Sequence, residues 1–394
     1  MKYLILILIV VLVSGQKDDY WNMDVQQRSE DLGFGYEEYQ VTTDDGYILT
    51  LMRIPSGPQS PQQEGKQPIL LAHPLFEAGE AFTRLGSVYS PAFYLADEGK
   101  DVWLFNMRGT TFSRQHVNLD PSTDDEYWDF YMDTIRYDYM ACIQFILDNT
   151  GFSSIPVFAM SFGGATFAIS LALEPEFFSS RVSVAVLAAP ALNMGHTNAL
   201  IYALLGNFPN ILETLRSGGM NVFRDDNQMM RNLLYTAARL FGPIVQGIGG
   251  TVLGEGDPFA LDPEGMSILL ARSQYGVGMR ALQHLFQSVR LNDLTYFDYG
   301  PRGNFDVYGT ETPPEIPLED INVPVALMFG EFDNVVPEED QQWIRERMGD
   351  NIIFDQVYEG FSHLSFLIGD NIEVYLEDLT DITEEYPAVI GDEN

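Results

Sequence analysis

The sequence predicts an α/β fold with a mostly parallel central sheet and an inserted helical segment. Short apolar runs, typical of strands buried on both faces, alternate with segments of helical spacing up to about residue 189. Helical spacing without clear strands fills residues 190–299, and the strand pattern resumes at residue 323. Helices that cover both faces of a parallel sheet account for this alternation.

Residues 34–189 are predicted to form the first part of the core. An Asp-Gly pair between two alternating apolar segments predicts a β-hairpin over residues 39–53. Two later segments, 92–98 and 133–150, have the apolar spacing of helices. The predicted buried strands are residues 68–73, 101–105, 155–160 and 182–189.

The other segments complete the predicted domain organisation. Residues 190–299 are predicted to be a helical cap or lid inserted into the core, and residues 300–380 to be the second part of the core. Residues 16–33 are polar and aromatic and predict a loosely attached lead-in, whereas residues 381–394 predict an acidic tail where a final helix frays. The predicted strands of the second core part are residues 323–330 and 351–357.

The N-terminus has the pattern of a secretory signal peptide. Lys2 precedes an apolar run from Tyr3 to Val13, and the small residues Ser14 and Gly15 follow it. The run is shorter than the roughly 20 residues that cross a bilayer, so we expect cleavage near Gly15 and a signal peptide over residues 1–15. A retained signal anchor is the alternative. After cleavage, we expect a mature chain without a transmembrane segment. We expect it to act outside the cell or in a lysosome or digestive vacuole.

Composition excludes several classes of partner. The chain has 57 acidic and 21 basic residues and a formal net charge of −36, which argues against binding to nucleic acid or to anionic membranes. An acidic lumen and a salty medium would both suit so acidic a chain.

The cysteines and histidines show no sign of a disulfide or a metal site. One cysteine, Cys142, excludes an internal disulfide, and five scattered histidines show no zinc-ligand spacing. We therefore predict no metal and no cofactor, and the oligomeric state stays open.

The candidate nucleophile is Ser161, within the segment from Ala159 to Gly163. An apolar run ends at Ser161 and a helix-like segment follows, as in the G-x-S-x-G elbow of serine hydrolases. The first glycine of that pattern is replaced here by Ala159. The alternative interpretation is an ordinary glycine-rich loop. The choice between the two depends on whether a base and an acid for Ser161 occur elsewhere in the sequence.

A serine nucleophile needs a base and an acid that orients the base. In elbow hydrolases these follow the serine in the order acid, then histidine. His196 and His284 fall in the helical insertion, whereas His363 follows a strand, where catalytic groups of such sheets lie. Asp333 follows the preceding strand and is the predicted acid, with Glu331 as the alternative.

Acyl transfer also needs two N–H groups directed at the developing oxyanion. The residue after the serine, Phe162, supplies one. The loop after the strand at residues 68–73 is placed to supply the other, and since Pro74 has no N–H, Leu75 is the predicted donor.

Several further segments occur in a family order. They are Asp45–Leu49, Leu71–Leu75, Asp101–Gly109, Tyr127–Phe130, Phe297–Gly300 and Val323–Ala326. With the elbow, they resemble the acid lipase family, the gastric and lysosomal lipases of the α/β-hydrolase fold, from about residue 24 to residue 379. The resemblance implies a triad of Ser161, Asp333 and His363, an oxyanion hole from Leu75 and Phe162, and a lid over the site.

Two motifs depart from the family. His73 to Leu75 reads His-Pro-Leu where members have His-Gly-Leu, and the elbow lacks their Gly-His-Ser-Gln-Gly. The family's cap cysteines are also absent. Because the oxyanion donors are backbone groups, these changes bear on elbow geometry and substrate preference rather than on reaction class.

The sequence therefore predicts a lipase that hydrolyses triacylglycerols or sterol esters at a lipid–water interface through a Ser-His-Asp triad. A carboxylesterase on soluble esters would use the same residues and is the alternative. A thioesterase or amidase has no motif in its favour. A non-catalytic lipid-binding member of the fold would not need the three triad residues.

Overall fold

The structure is a computed structural model that describes residues 19–85, 90–223 and 228–391. A ten-stranded sheet forms the centre of the protein. The predicted signal peptide, residues 1–15, lies outside the described residues. The strands are β1 (Glu37–Thr42), β2 (Tyr47–Ile54), β3 (Pro68–Ala72), β4 (Asp101–Phe105), β5 (Gln115–His116), β6 (Phe152–Met160), β7 (Val182–Ala188), β8 (Val222–Phe223), β9 (Val277–Gly278), β10 (Val325–Gly330), β11 (Ile352–Tyr358) and β12 (Val389–Ile390).

Helices flank the sheet and fill the segment between β7 and β10. They are α1 (Val25–Leu32), α2 (Pro91–Asp97), α3 (Arg136–Thr150), α4 (Phe162–Leu173), α5 (Pro175–Ser179), α6 (Leu200–Asn207), α7 (Pro209–Ser217), α8 (Gln228–Leu253), α9 (Pro263–Arg272), α10 (Met279–Leu291), α11 (Gly300–Tyr308), α12 (Glu338–Met348), α13 (Ser365–Ile368) and α14 (Glu373–Glu385). Short 3₁₀ helices occur at Asp19–Asn22, Gly79–Thr83, Asp125–Trp128, Met132–Ile135, Pro258–Ala260, Leu318–Asp320 and Gly349–Asn351.

The sheet has the order β1-β2-β4-β3-β6-β7-β10-β11. The pairings from β4 through β3, β6, β7 and β10 to β11 are parallel, whereas β1 with β2 and β2 with β4 are antiparallel. Parallel strands place their carboxyl ends along one edge of the sheet. The predicted α/β fold with a mostly parallel sheet is confirmed.

Apolar residues pack on both faces of the sheet. In β6, Val157 and Ala159 contact the cluster that includes Tyr139 of α3, while Phe158 joins the cluster that includes Tyr375 of α14. Burial on both faces explains why β6 is a continuous apolar run instead of an alternating one. The result is a rigid strand that ends at Ser161.

The cap, residues 190–299, contains helices α6 to α10. It also contains a small antiparallel ribbon in which β8 pairs with β9, although the sequence showed no clear strand here. Two residues per strand are too few to produce a readable alternation. Helix α8 is kinked at Phe241, where φ is −119° and ψ is 22°. The limits of the cap, residues 190 and 299, remain a prediction.

Residues 19–33 and 381–391 contain regular secondary structure that the sequence did not predict. The segment predicted as a loosely attached lead-in contains α1, whose Asp24 and Gln27 form a capping box and whose Val25 and Arg28 are buried. In the predicted acidic tail, β12 pairs antiparallel with the start of β6. The described parts of both segments are therefore attached to the core, because a few apolar residues among polar ones suffice. Residues 16–18 and 392–394 lie outside the described residues.

Candidate active site

Ser161 lies between β6 and α4 in a backbone conformation that non-glycine residues rarely adopt. Its φ is 54° and its ψ is −115°, outside the favoured regions for L-residues. Main-chain bonds maintain this geometry: the Ser161 N–H donates to Ala188 O at 2.8 Å, and the Ser161 carbonyl accepts from Ala165 N–H at 2.8 Å. Such a strained turn presents the serine Oγ at the carboxyl edge of the sheet.

Gly163 allows α4 to lie close to the end of β3. A Cβ atom at this position would be 2.6 Å from the His73 carbonyl oxygen and 2.7 Å from that of Ala72. These are backbone atoms that cannot move aside, so only glycine fits here. At the other small-residue position of the elbow, Ala159 is fully buried in β6, and the strand accommodates its methyl group.

The structure brings Ser161, His363 and Asp333 into one hydrogen-bonded row. His363 Nε2 lies 2.8 Å from Ser161 Oγ, and His363 Nδ1 lies 2.8 Å from Asp333 Oδ2. Because a carboxylate only accepts, Nδ1 carries the proton and Nε2 is free to accept from the serine hydroxyl. The three residues are 5%, 4% and 3% exposed, respectively. They follow β6, β11 and β10 at the same edge of the sheet.

The Asp333 carboxylate is held by its own loop. Its Oδ1 accepts from the N–H groups of Val335 at 2.8 Å and Val336 at 3.0 Å, which leaves Oδ2 for the histidine. The alternative acid, Glu331, is exposed and accepts from Gly360 N–H at 3.0 Å. The geometry therefore favours Asp333 as the partner of His363.

The candidate oxyanion donors occupy the ends of β3 and the start of α4. Phe162 is the first residue of α4, so its N–H has no acceptor within the helix. Within the described residues, the Leu75 N–H has no hydrogen-bond acceptor either. The next residue, Phe76, has a φ of 64°, which marks a tight, strained turn. Leu75 and Phe162 line the same pocket, and two free N–H groups are what a developing oxyanion requires.

His73 holds the loop that carries Leu75. Its Nε2 accepts from Met107 N–H at 3.2 Å, so its Nδ1 carries the proton and donates to Pro74 O at 2.9 Å. Burial lowers the pKa of His73 to about 4, and the ring stays neutral. The sequence placed His73 in the strand-end motif but did not indicate this positioning role.

Family profiles cover nearly the whole described chain. A profile for the alpha/beta hydrolase fold matches residues 67–370, and one for a partial alpha/beta-hydrolase lipase region matches residues 25–86. Human lipase member K is 30% identical over 373 residues, which are 93% of this chain and 92% of that protein. The chain belongs to the acid lipase family of α/β-hydrolases.

Two further comparisons agree with this acid lipase assignment. Lysosomal acid lipase/cholesteryl ester hydrolase from Macaca fascicularis is 29% identical over 352 residues, 88% of this chain and 87% of that protein. The solved structure of naproxen esterase from Bacillus subtilis shares the fold, with a TM-score of 0.51, 15% identity, and coverage of 93% of this chain and 99% of that one. The protein is therefore an enzyme of the lipase/esterase class.

In this acid lipase, the pocket beside the oxyanion donors is almost closed. It is lined by Leu75, Phe76 and Phe162 from the core and by Val277 and Ala281 from the cap, and it leaves about 10 Å³ of open space. That space is near the lower limit for a single water molecule. A space of this size does not hold an acyl chain.

The remaining histidines have structural partners away from the serine. His284 is buried between Met132 N–H and Thr295 O, and burial lowers its pKa. His196 contacts the Asp340 carboxylate, and His116 contacts Asp45 O. No group of three or more His, Cys, Asp or Glu within the described ranges could hold a metal ion. Nor does any described helix have the length and apolar character needed to cross a membrane.

Proposed function

We propose that this acid lipase hydrolyses the ester bonds of neutral lipids, triacylglycerols or sterol esters, through an acyl-enzyme on Ser161. The observation that supports this most is the buried row of Ser161, His363 and Asp333. The candidate oxyanion donors Leu75 and Phe162 line one pocket. A nucleophile, an oriented base and two oxyanion donors are the groups that acyl transfer needs.

The reaction would proceed in two halves. His363 Nε2 takes the proton of Ser161 while the serine Oγ bonds to the ester carbonyl carbon, and the N–H groups of Leu75 and Phe162 receive the oxyanion. The imidazolium then returns its proton to the alcohol oxygen as the ester bond breaks. A water molecule then gives a proton to His363 Nε2 while its oxygen bonds to the acyl carbon. The bond from Ser161 Oγ to that carbon breaks, His363 returns the proton to Oγ, and fatty acid is released.

The surface of the cap supports a lipid substrate. Large apolar side chains are exposed along it, and charged residues are sparse around the second half of α8. Such a concentration of exposed apolar surface is typical of a surface that meets lipid or another protein. The exposed residues are Leu200, Leu204, Phe208, Ile211, Met220, Met229, Leu233, Leu240, Phe241, Ile244, Ile248 and Phe259.

The proposed setting is the secretory pathway, with the enzyme acting outside the cell or in a lysosome. The apolar N-terminal segment supports entry into that pathway, and a relative is named as lysosomal. The net charge of −36 would give strong self-repulsion at neutral pH, which decreases as carboxylates take up protons in acid.

The test uses emulsified triacylglycerol, emulsified cholesteryl ester and a short soluble ester, each with wild type and Ser161→Ala. We expect turnover of at least one emulsion to exceed that of the soluble ester, and the Ala variant to lose about 10⁴-fold or more on every substrate. Equal melting temperatures would show that the variant folds. A variant that keeps a few per cent of turnover would refute Ser161 as nucleophile, and activity confined to the soluble ester would identify a carboxylesterase.

A further inference from the structure

A short cap segment, residues 254–257, lies against both loops that carry the base and the acid. Gly256 N–H donates to Phe332 O at 2.9 Å, and Asn334 N–H donates to Gly254 O at 3.0 Å. Together these bonds form an antiparallel bridge that sets Glu255 opposite Asp333. The segment also reaches the histidine loop, because Asp257 N–H donates to Ser362 Oγ at 3.1 Å.

The fit of this segment is tight on both sides of Glu255. A Cβ atom on Gly256 would lie 2.5 Å from Phe332 O, and one on Gly254 would lie 2.7 Å from Val335 Cγ2. Gly254 also has a φ of 98°, a conformation that favours glycine. The chain therefore approaches the acid loop as closely as glycine backbones permit, and Glu255 alone carries a side chain into the interface.

The carboxyl of Glu255 contacts the main chain directly after the base. It is 2% exposed, and its two oxygens lie 3.1 Å and 3.2 Å from Leu364 N. Leu364 follows His363, so this bond fixes the backbone from which the imidazole projects. Glu255 lies between two glycines, Gly254 and Gly256, and no motif in the sequence pointed to it.

The surroundings of Glu255 favour its neutral form. Burial raises the pKa of Glu255, and the negative charge of Asp333 raises it further, while the Leu364 N–H opposes both. The other titratable groups near it are His363 on the base loop and Asp257 on its own segment, whose carboxylate accepts from Phe259 N–H. Among the described ion pairs, none joins Glu255 to a lysine or an arginine.

We propose that Glu255 is a positioning residue of the active site, supplied by the cap, that holds the His363 loop and makes the activity favour acidic pH. This inference rests on the proposed function of Ser161, His363 and Asp333. The cap would then hold the backbone that carries the base, His363, in addition to covering the site.

The pH dependence follows from the ionisation of Glu255. In acid, Glu255 is neutral and its carbonyl oxygen accepts from Leu364 N–H without adding charge. As the pH rises and Glu255 ionises, a second buried negative charge beside Asp333 repels that carboxylate and loosens the 254–257 segment. A loosened segment no longer holds the backbone that carries His363, so activity falls toward neutral pH.

The experiment compares kcat on a short soluble ester between about pH 4 and pH 8 for wild type, Glu255→Gln and Glu255→Ala. The glutamine oxygen still accepts from Leu364 N–H and never ionises. We expect Glu255→Gln to match wild type in acid and to exceed it by about threefold or more near pH 7.5, the equivalent of half a pKa unit. Glu255→Ala loses the bond, and its kcat should fall by about tenfold or more at every pH.

Glu331→Gln is the matched control. Glu331 also accepts a main-chain N–H of the histidine region, from Gly360, but it is exposed, so its pH profile should follow wild type. Superimposed profiles of Glu255→Gln and wild type would overturn the proposal, as would full activity of Glu255→Ala. If Glu255→Ala does not fold, the glutamine profile decides. Ser161→Ala is assayed alongside: if it stays active, the proposed function itself has failed.

Melting temperatures supply an independent readout. A carboxyl whose pKa is raised on folding adds stability below its unfolded pKa and loses that contribution as the pH rises through the folded value. Wild type should therefore lose stability relative to Glu255→Gln as the pH rises from 4.5, the ordinary carboxyl pKa, toward neutral. A constant difference over this range would contradict a neutral, buried Glu255.

Discussion

The core and the cap of this enzyme differ in where they place apolar side chains. In β6 and α4, which flank Ser161, nearly every side chain is buried. The cap instead holds more than half of the large apolar side chains that are exposed among the described residues. The core thus uses hydrophobic burial to fix atoms in place, whereas the cap leaves apolar surface exposed, as the proposed lipid substrate would require.

The core and the cap also contact each other in two different ways, at Glu80 and at Glu255. At one side, Arg272 of α9 reaches into the core and binds Glu80 at 2.6 Å within a buried cluster that includes Arg28 and Arg84. Although burial alone would raise the pKa of Glu80, these arginines hold it below its usual value. At the other side, Glu255 is buried, and no ion pair among the described residues joins it to a lysine or an arginine. The first contact is a paired structural one, and we expect the second to respond to pH.

The largest effect is expected in the core. Asp333→Asn should lower turnover about 10³- to 10⁴-fold on both emulsified and soluble esters, because the amide no longer selects the histidine tautomer that accepts the serine proton. The measurement is kcat/KM on both substrate types. Glu331→Gln is the control and should be close to wild type; the reverse ranking would move the acid to Glu331.

A smaller and selective effect is expected in the cap. Ile244 and Ile248 are 62% and 64% exposed, and replacing both by Asp should weaken activity on emulsified lipid by about tenfold or more, since each buried side chain contributes ~1.5 kcal/mol or more at an apolar interface. Activity on a short soluble ester should be unchanged. Val307→Asp, at an exposed valine of α11 outside the cap, is the control. Equal losses on both substrates would contradict an interfacial role.

The smallest effect, no change, is expected on chelation. Serine, histidine and aspartate supply nucleophile, base and acid without an ion, and neither core nor cap shows a metal-ligand cluster within the described residues. Activity on both substrate types should survive excess EDTA. Loss of activity that one divalent metal restores would show that one of the two regions depends on an ion.

The sequence by itself determined the fold class, the family and the order of the site residues. Buried parallel strands are continuous apolar runs, and a strand-turn-helix with Ser161 and Gly163 is a local pattern, so both can be read from neighbours in the chain. The acid lipase resemblance is confirmed. The roles of Ser161, Asp333 and His363 remain predictions, which the hydrogen-bonded geometry supports.

Only the tertiary structure decided how distant segments meet. The choice between Asp333 and Glu331 depends on which carboxylate faces His363. The two residues are only two positions apart in one loop, so the sequence does not show which of them faces the histidine. The attachment of α1 and β12 and the contact of Glu255 with Leu364 join residues far apart in the chain. Such contacts depend on complementary surfaces formed after folding, and no local periodicity encodes them.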